Sequence, residues 1–144
     1  MIKAAKLRKL QRDARGVAAI EFAIIAPILL LMLCGIFVYG LYFATLHGLQ
    51  QIVAEASRAS IAGLTDVERE QLAKAQINGT ISNYGLLDRQ YLQVRAATDP
   101  TASDRYIITV TYDATHLGLD AFGAILPQPP NHITRSSVIR KGGA

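Results

Sequence analysis

Hydrophobic positions form one long block near the start of the chain and shorter periodic patterns after it. The block, Phe22 to Leu46, contains 25 residues without a charge. At ~1.5 Å per residue, a helix of this length reaches ~38 Å, which exceeds the ~30 Å hydrocarbon core of a bilayer. Lipid offers backbone groups no partners, so a spanning segment must be helical. The block predicts one transmembrane helix, and Pro27 predicts a kink in its first turns.

A weaker helical pattern continues the block from His47 to Leu64, with Ile61 as an exception to its two-sided character. The predicted inner face consists of Leu49, Ile52, Val53, Ala56, Ala59 and Ser60, and the outer face of Gln50, Gln51, Glu55, Ser57 and Arg58. Such a stripe predicts that this helical extension packs against the domain that follows.

A second helix is predicted after a break at Gly63. Thr65 and Glu68 have the spacing of a capping box, which marks a helix start. We expect the helix to end at about Ile77, because Asn78-Gly79 is a turn signal. The side chains expected to carry this helix are Val67, Gln71, Leu72, Ala75 and Ile77. A short helical piece is expected over residues 81–84.

Strand-like segments follow, with side chains that alternate between two faces. We predict strands over Tyr91–Ala96, Arg105–Asp113 and His132–Arg140, with a hairpin connection over Asp99–Asp104 and a Pro-rich excursion over Ala114–Asn131. The predicted fold class is α+β. A long transmembrane helix continues into an amphipathic helix, on which a small antiparallel sheet packs between Gln50 and Leu64.

Positive charge is concentrated at the N-terminus. Residues 1–16 carry a net charge of +5, whereas residues 17–144 carry −1. By the positive-inside rule, the N-terminus stays cytoplasmic. We therefore predict a basic cytoplasmic leader (1–16), a transmembrane helix (17–46), a helical extension (47–64) and a small extracytoplasmic α+β domain (65–144). Because the domain has no basic face with readable spacing, we expect no nucleic-acid partner.

Three other interpretations of the apolar block are less favoured. A secretory signal has a shorter apolar region, roughly 7–15 residues. A lipoprotein signal would cleave before Cys34, but bulky Leu33 lies where such signals need a small residue. A buried helix of a soluble protein does not usually run 25 residues without a charge. Cys34 is the chain's one cysteine, so no intramolecular disulfide is expected.

The unusual residue is Glu21, an acid among apolar neighbours at the start of the block. A carboxylate costs ~2.5–3.5 kcal/mol at the centre of a membrane helix and less at its edge. Taken alone, Glu21 could simply be a solvated boundary residue. Val17 lies on the same helix face, one turn earlier.

The sequence around Glu21 resembles a known family. A basic leader, Gly16, four apolar or small residues, Glu21 and an aromatic residue run directly into the apolar helix. This order is typical of type IV pilin-like precursors. More narrowly, RGVAAIEFAIIAPILLLMLCG is similar to the TadE-like pseudopilins of the Tad (Flp) pilus and tight-adherence systems. The resemblance covers residues 12–46, and the remainder fits the family in outline.

The resemblance implies cleavage by a membrane aspartyl prepilin peptidase between Gly16 and Val17. Val17 would then carry the new amine, with a pKa of ~8, and Glu21 would be the fifth residue of the mature chain. Pairing of the two groups would offset the desolvation of both, and Glu21 would set the register between subunits. Phe22 stands where major pilins of this system often have Tyr, which favours a minor pilin. Gly16, which has no side chain, would fit closely in the peptidase cleft. The simpler alternative is an irregular helix start.

Other chemistry is sparse. Gly40, Ala44 and Gly48 form a small-residue stripe that lets another helix approach closely, although chance gives the same pattern. Asp113, His116 and Asp120 are close in sequence but lack a fourth ligand, so no metal is expected. Because no nucleotide-binding or hydrolase motif occurs, we expect no cofactor and no enzyme.

The resemblance and the apolar block together predict a minor pilin or pseudopilin in the bacterial inner membrane. Its cytoplasmic N-terminus would be processed, its C-terminal domain would be periplasmic, and the protein could associate with the pilus. Its expected partners are a prepilin peptidase, other pilin-like subunits and Tad assembly proteins. The alternative is a single-pass, membrane-anchored periplasmic binding or sensor module without processing. A secreted enzyme carrying its own anchor is a second rival.

Overall fold

A computed structural model describes residues 2–141 of the 144-residue chain, with side chains described for residues 16–141. The basic side chains of the predicted leader up to Arg15, and the tail after Lys141, lie outside the described side chains. The chain divides into two compact units, Met1–Val38 and Tyr39–Ala144, and each is described by itself. The four domain limits expected from the sequence remain predictions.

One continuous helix, α1, runs from Ile2 to Ser60 and includes Pro27 without interruption. This confirms that the apolar block continues as helix, although α1 ends four residues before Leu64. Within the first unit, the described large apolar side chains from Val17 to Phe37 are mostly exposed. Among the described residues, the Gly16–Ser60 part of α1 is the one helix long and apolar enough to cross a membrane.

The predicted inner face of the helical extension is largely confirmed. Its fully buried members are Leu49, Ile52, Val53, Ala56 and Ser60. The expectation for Ser57 is wrong, because this side chain is buried and not on the outer face. Ser57 neighbours Val53 and Ser60 on the helix surface, so the inner face is wider than the stripe suggested. Within residues 16–141, its hydroxyl has no hydrogen-bond partner.

The second helix, α2, spans Asp66–Thr80 and begins with the predicted capping box. The Glu68 amide donates to Thr65 Oγ1 (3.2 Å), and the Thr65 amide donates to Glu68 Oε2 (3.1 Å). The Leu64 amide also donates to Glu68 Oε2 (2.8 Å), and the two amides of Leu64 and Thr65 together lower the pKa of Glu68. Gly63 permits the turn into α2, since a Cβ there would lie 2.7 Å from the backbone nitrogen of Arg69.

Two expectations for α2 are wrong. The helix does not stop at Ile77 but continues through Asn78-Gly79, where the backbone has no positive φ. An Asn-Gly pair marks a hairpin only when extended segments flank it, and here helical hydrogen bonds continue through it. The buried side chains are Arg69, Ala73 and Ile77, whereas Val67 and Leu72 are exposed. Hydropathy does not predict the burial of Arg69, because arginine is charged. Its aliphatic stem packs inward while Nη1 donates to the Leu64 carbonyl (3.5 Å).

Three antiparallel strands form one sheet in the order β1-β2-β3. They are β1 Leu92–Asp99, β2 Ala102–Asp113 and β3 His132–Arg140. β3 has the predicted bounds, whereas β1 and β2 extend into the expected hairpin connection. Short 3-10 turns cover Ile81–Asn83, Arg89–Tyr91 and Thr115–Leu117. The α+β prediction is confirmed.

One face of the sheet is buried, and with the inner sides of α1 and α2 it forms the core of the second unit. Its buried side chains are Leu92, Tyr106, Ile108, Val110, Tyr112 and Ile133. The Tyr106 hydroxyl donates to the Asp66 carbonyl (3.0 Å), which attaches the sheet to the first turn of α2. Burial raises the pKa of Tyr106.

Candidate functional site

The candidate processing and packing residues lie at the start of the apolar part of α1. Gly16, Val17, Glu21 and Phe22 are all helical and exposed. Val17 and Glu21 are one turn apart, about 6 Å along the helix axis, and share one face. An amine at residue 17 would therefore lie within reach of the carboxylate at residue 21, either in the same chain or in a neighbour shifted along the axis.

Within residues 16–141, no packing contact requires a glycine at position 16. A Cβ at this position would meet nothing within 4 Å, and the residue lies inside α1 and not at its start. The simpler explanation of Gly16, an irregular helix start, is therefore wrong. A helical glycine costs about 1 kcal/mol relative to alanine. The described side chains therefore give no steric reason for this loss of helix stability.

The Glu21 carboxylate has no charged partner within residues 16–141. The ion pairs of this part of the chain join Arg69 to Asp66, Lys74 to Glu70 and Lys141 to Asp66. Val17 and Phe22, beside Glu21, are 54% and 68% exposed, so the acid lies on a helix surface that is otherwise apolar. Such a carboxylate needs water, a proton or a positive group from outside this part of the chain.

The three residues of the small-residue stripe differ in what packs against them. A Cβ on Gly48 would lie 3.3 Å from Tyr84 Cδ1 and 3.3 Å from Leu87 Cδ1, so its missing side chain lets the chain's own loop approach α1. Gly40 and Ala44 are exposed, and a Cβ on Gly40 would meet nothing within 4 Å. Packing of another helix against Gly40 and Ala44 stays a prediction, whereas Gly48 is already covered.

The loop that covers Gly48, residues 84–87, is held by a hydrogen bond that no sequence pattern indicates. The Tyr84 hydroxyl donates to Glu55 Oε1 at 3.2 Å. Burial and the neighbouring negative charge raise the pKa of Tyr84, so the hydroxyl remains a donor at neutral pH. Tyr84 and Glu55 are 29 positions apart, so no local sequence pattern predicts their contact. Gly48 on the inner face of α1 indicates only that some other segment approaches the helix closely.

The residues that imitate a metal site have structural roles. Within residues 16–141, no group of three or more His, Cys, Asp or Glu side chains is arranged to hold a metal. His116 stacks on Tyr91, with ring centroids 4.0 Å apart, and its Nε2 lies 3.2 Å from the Tyr112 hydroxyl. The Asp113 carboxylate accepts from the Thr115 amide (3.0 Å) and hydroxyl, which lowers the pKa of Asp113. These contacts fix the turn after β2.

The described residues therefore combine one helix compatible with a single-pass membrane anchor and a small α+β unit. A family model described as TadE-like protein matches residues 16–58, which are 43 of the 144 residues. The resemblance to TadE-like proteins is thereby confirmed over this segment, and it supports involvement in Tad pilus assembly. No curated protein and no solved structure matches the chain at a significant level.

Proposed function

We propose that this protein is a minor pilin or pseudopilin of a Tad-type pilus assembly system. It enters the inner membrane as a precursor with a cytoplasmic N-terminus, and a prepilin peptidase cuts between Gly16 and Val17. Its α+β unit then lies in the periplasm or on the pilus. The protein serves as a structural subunit and a peptidase substrate, not as a catalyst, and its partners are other pilin-like subunits and Tad assembly proteins.

The observation that carries this proposal is the isolated acid on an apolar helix surface. Glu21 has no charged partner within residues 16–141, and it follows Val17 by one helical turn. Cleavage creates an amine at Val17, which supplies the positive group that a carboxylate in lipid needs. The TadE-like match begins at residue 16, so it includes both groups.

Gly16 supports the same proposal from the peptidase side. The bond between Gly16 and Val17 lies within α1, so a peptidase must unwind the helix locally to extend the backbone into its cleft. Glycine weakens a helix by about 1 kcal/mol and leaves room for a close approach. Since the described side chains do not require glycine here, recognition by a peptidase explains its presence.

The assembly role is tested by Glu21→Gln in a strain that depends on this gene for Tad pili. Gln keeps the shape of the side chain but removes its charge. Loss of one partner of a desolvated ion pair costs ~3–5 kcal/mol, so we expect at least a tenfold loss of surface pili in electron micrographs.

Asp104→Asn is the matched control. Asp104 is exposed, and its side chain has no hydrogen bond or ion pair within residues 16–141. This variant should assemble normal numbers of pili. Normal piliation by Glu21→Gln, at equal protein levels in the membrane, would contradict the proposed pairing.

A further inference from the structure

The segment between β2 and β3 is an ordered loop that buries Leu119 but exposes two large apolar side chains, Phe122 and Ile125. The Ala114 amide donates to the Asn131 carbonyl (2.7 Å), which closes residues 115–130 into an Ω-loop. Successive backbone hydrogen bonds fold its middle, including Leu126 amide to Phe122 carbonyl (2.8 Å). Ile125 is nevertheless 66% exposed and Phe122 is 36% exposed. These two side chains are therefore exposed on a folded loop.

This loop is attached to α1 inside the apolar block of residues 22–46. The Tyr39 hydroxyl donates to the Pro127 carbonyl at 3.1 Å. Tyr39 follows exposed Phe37 and buried Val38 in α1. It belongs to an aromatic group with Tyr42 and Phe43, and the ring centroids of Tyr42 and Phe43 lie 5.5 Å apart. Aromatic residues of this kind gather where a membrane helix meets the headgroup region. The loop thus touches α1 about two turns before the outer end of the predicted transmembrane helix (17–46).

The composition of the loop suits lipid better than water. Residues 121–131 contain no charged side chain, and the apolar residues Phe122, Ile125 and Leu126 lie within a single turn before Pro127. An amphipathic element at the interface buries such residues in the boundary between headgroups and acyl chains. A loop that faced only periplasmic water would gain nothing from this arrangement.

We propose that the loop of residues 115–130 is a second membrane-contact element, which inserts Phe122 and Ile125 into the outer face of the bilayer beside α1. The occupant of this apolar surface is lipid, because the loop is bonded to α1 at Tyr39, inside the predicted transmembrane helix, and its residues 121–130 carry no charge. The inference rests on the membrane anchoring in the proposed function. It adds a lipid contact that would set the height and rotation of the α+β unit at the membrane.

The chain contains no tryptophan, so a single introduced Trp reports its own environment. The test uses full-length protein reconstituted in phosphatidylcholine vesicles whose acyl chains carry bromine, a short-range quencher, near the headgroup end. Ile125→Trp and Phe122→Trp probe the loop. Phe37→Trp probes the apolar segment, and Leu64→Trp probes an 87% exposed site in the connection between α1 and α2. Circular dichroism confirms that each variant is folded.

We expect the Trp emission of both loop variants to shift to the blue, with about twofold or more stronger quenching than Leu64→Trp. Quenching of Phe37→Trp without quenching of either loop variant would overturn the loop proposal and leave the anchor intact. A blue shift without bromine quenching would mean that protein covers the loop, and it would also overturn the proposal. If Phe37→Trp is not quenched, the anchor itself is wrong, and the loop proposal fails with it.

Discussion

Two stretches of α1 carry similar apolar side chains, but those of one stretch are exposed and those of the other are buried. From Val17 to Phe37 the large apolar residues are mostly exposed, whereas from Leu49 to Ala56 the inward ones are between 0% and 2% exposed. The chain supplies its own cover for the second stretch, with a sheet, a second helix and a loop. For most of the first stretch, the described residues supply none. Hydropathy alone does not distinguish the exposed stretch from the buried stretch. They differ in whether other elements of the chain pack against them.

The carboxylates of the two regions differ in the same way. Asp66 receives hydrogen bonds from Lys141 (3.0 Å) and Thr98 and forms an ion pair with Arg69 (3.4 Å). Glu21 has no such partner within residues 16–141. The Asp66 carboxylate is thus satisfied by its own unit, whereas Glu21 and the apolar side chains beside it depend on their surroundings for charge and for apolar contact. Such dependence is what an assembly element requires.

The largest expected effect comes from a core truncation that breaks the internal packing. Ile108 is fully buried on β2, so Ile108→Ala should lower the free energy of unfolding by about 2–5 kcal/mol. Ile28→Ala is the matched control in the exposed segment and should change it by less than about 0.5 kcal/mol. Urea unfolding of the detergent-solubilised chain, followed by near-UV circular dichroism, measures both. Equal losses would show that the two regions are not different in packing.

A pair of glycines sharpens the comparison within the α+β unit. A Cβ on Gly63 would lie 2.7 Å from the Arg69 backbone nitrogen, so Gly63→Ala should destabilise the fold by about 1–3 kcal/mol. Gly79 lies within α2 with open space around it, so Gly79→Ala should stabilise by about 0.4–1 kcal/mol. Thermal unfolding distinguishes the signs. A loss of stability in Gly79→Ala would mean that Asn78-Gly79 forms a turn after all.

The smallest effect concerns pH. Hydrogen bonds from Lys141 and Thr98 hold the pKa of Asp66 below its ordinary value of 3.8. A lowered pKa in the folded state contributes stability above the unfolded value, and this contribution disappears as pH falls through the folded value. Asp66→Asn should therefore unfold more easily at neutral pH and lose less stability on acidification, which urea titrations at about pH 6 and about pH 2 compare.

Sequence patterns predicted the elements of this fold better than their contacts. The apolar block, the Thr65 capping box and the bounds of β3 follow from local periodicity and side-chain chemistry, and the structure confirms them. The end of α2 was wrong because the turn signal of Asn78-Gly79 has no extended segments around it to act on. A local signal of this kind has no effect where helical hydrogen bonds continue.

In the candidate site, too, the sequence predicts local groups of residues but not the long-range contacts. Gly16, Val17 and Glu21 form a contiguous motif, so they could be found from the sequence and are placed on one helix. The contacts of Tyr84 with Glu55 and of Tyr39 with Pro127 join residues 29 and 88 positions apart. Such pairs depend on how the loops fold over α1, and no periodicity reports this. Ser57 was misplaced for a related reason, since a helix covered by several elements buries more than one stripe.

The central claim is that the chain is cut after Gly16 to expose an amine for Glu21. Intact-mass spectrometry of protein purified from the membranes of its own host tests this most directly. We expect a chain that begins at Val17, and a Gly16→Leu variant that keeps the leader because its side chain blocks the peptidase cleft. A wild-type chain that retains residues 1–16 would contradict the account.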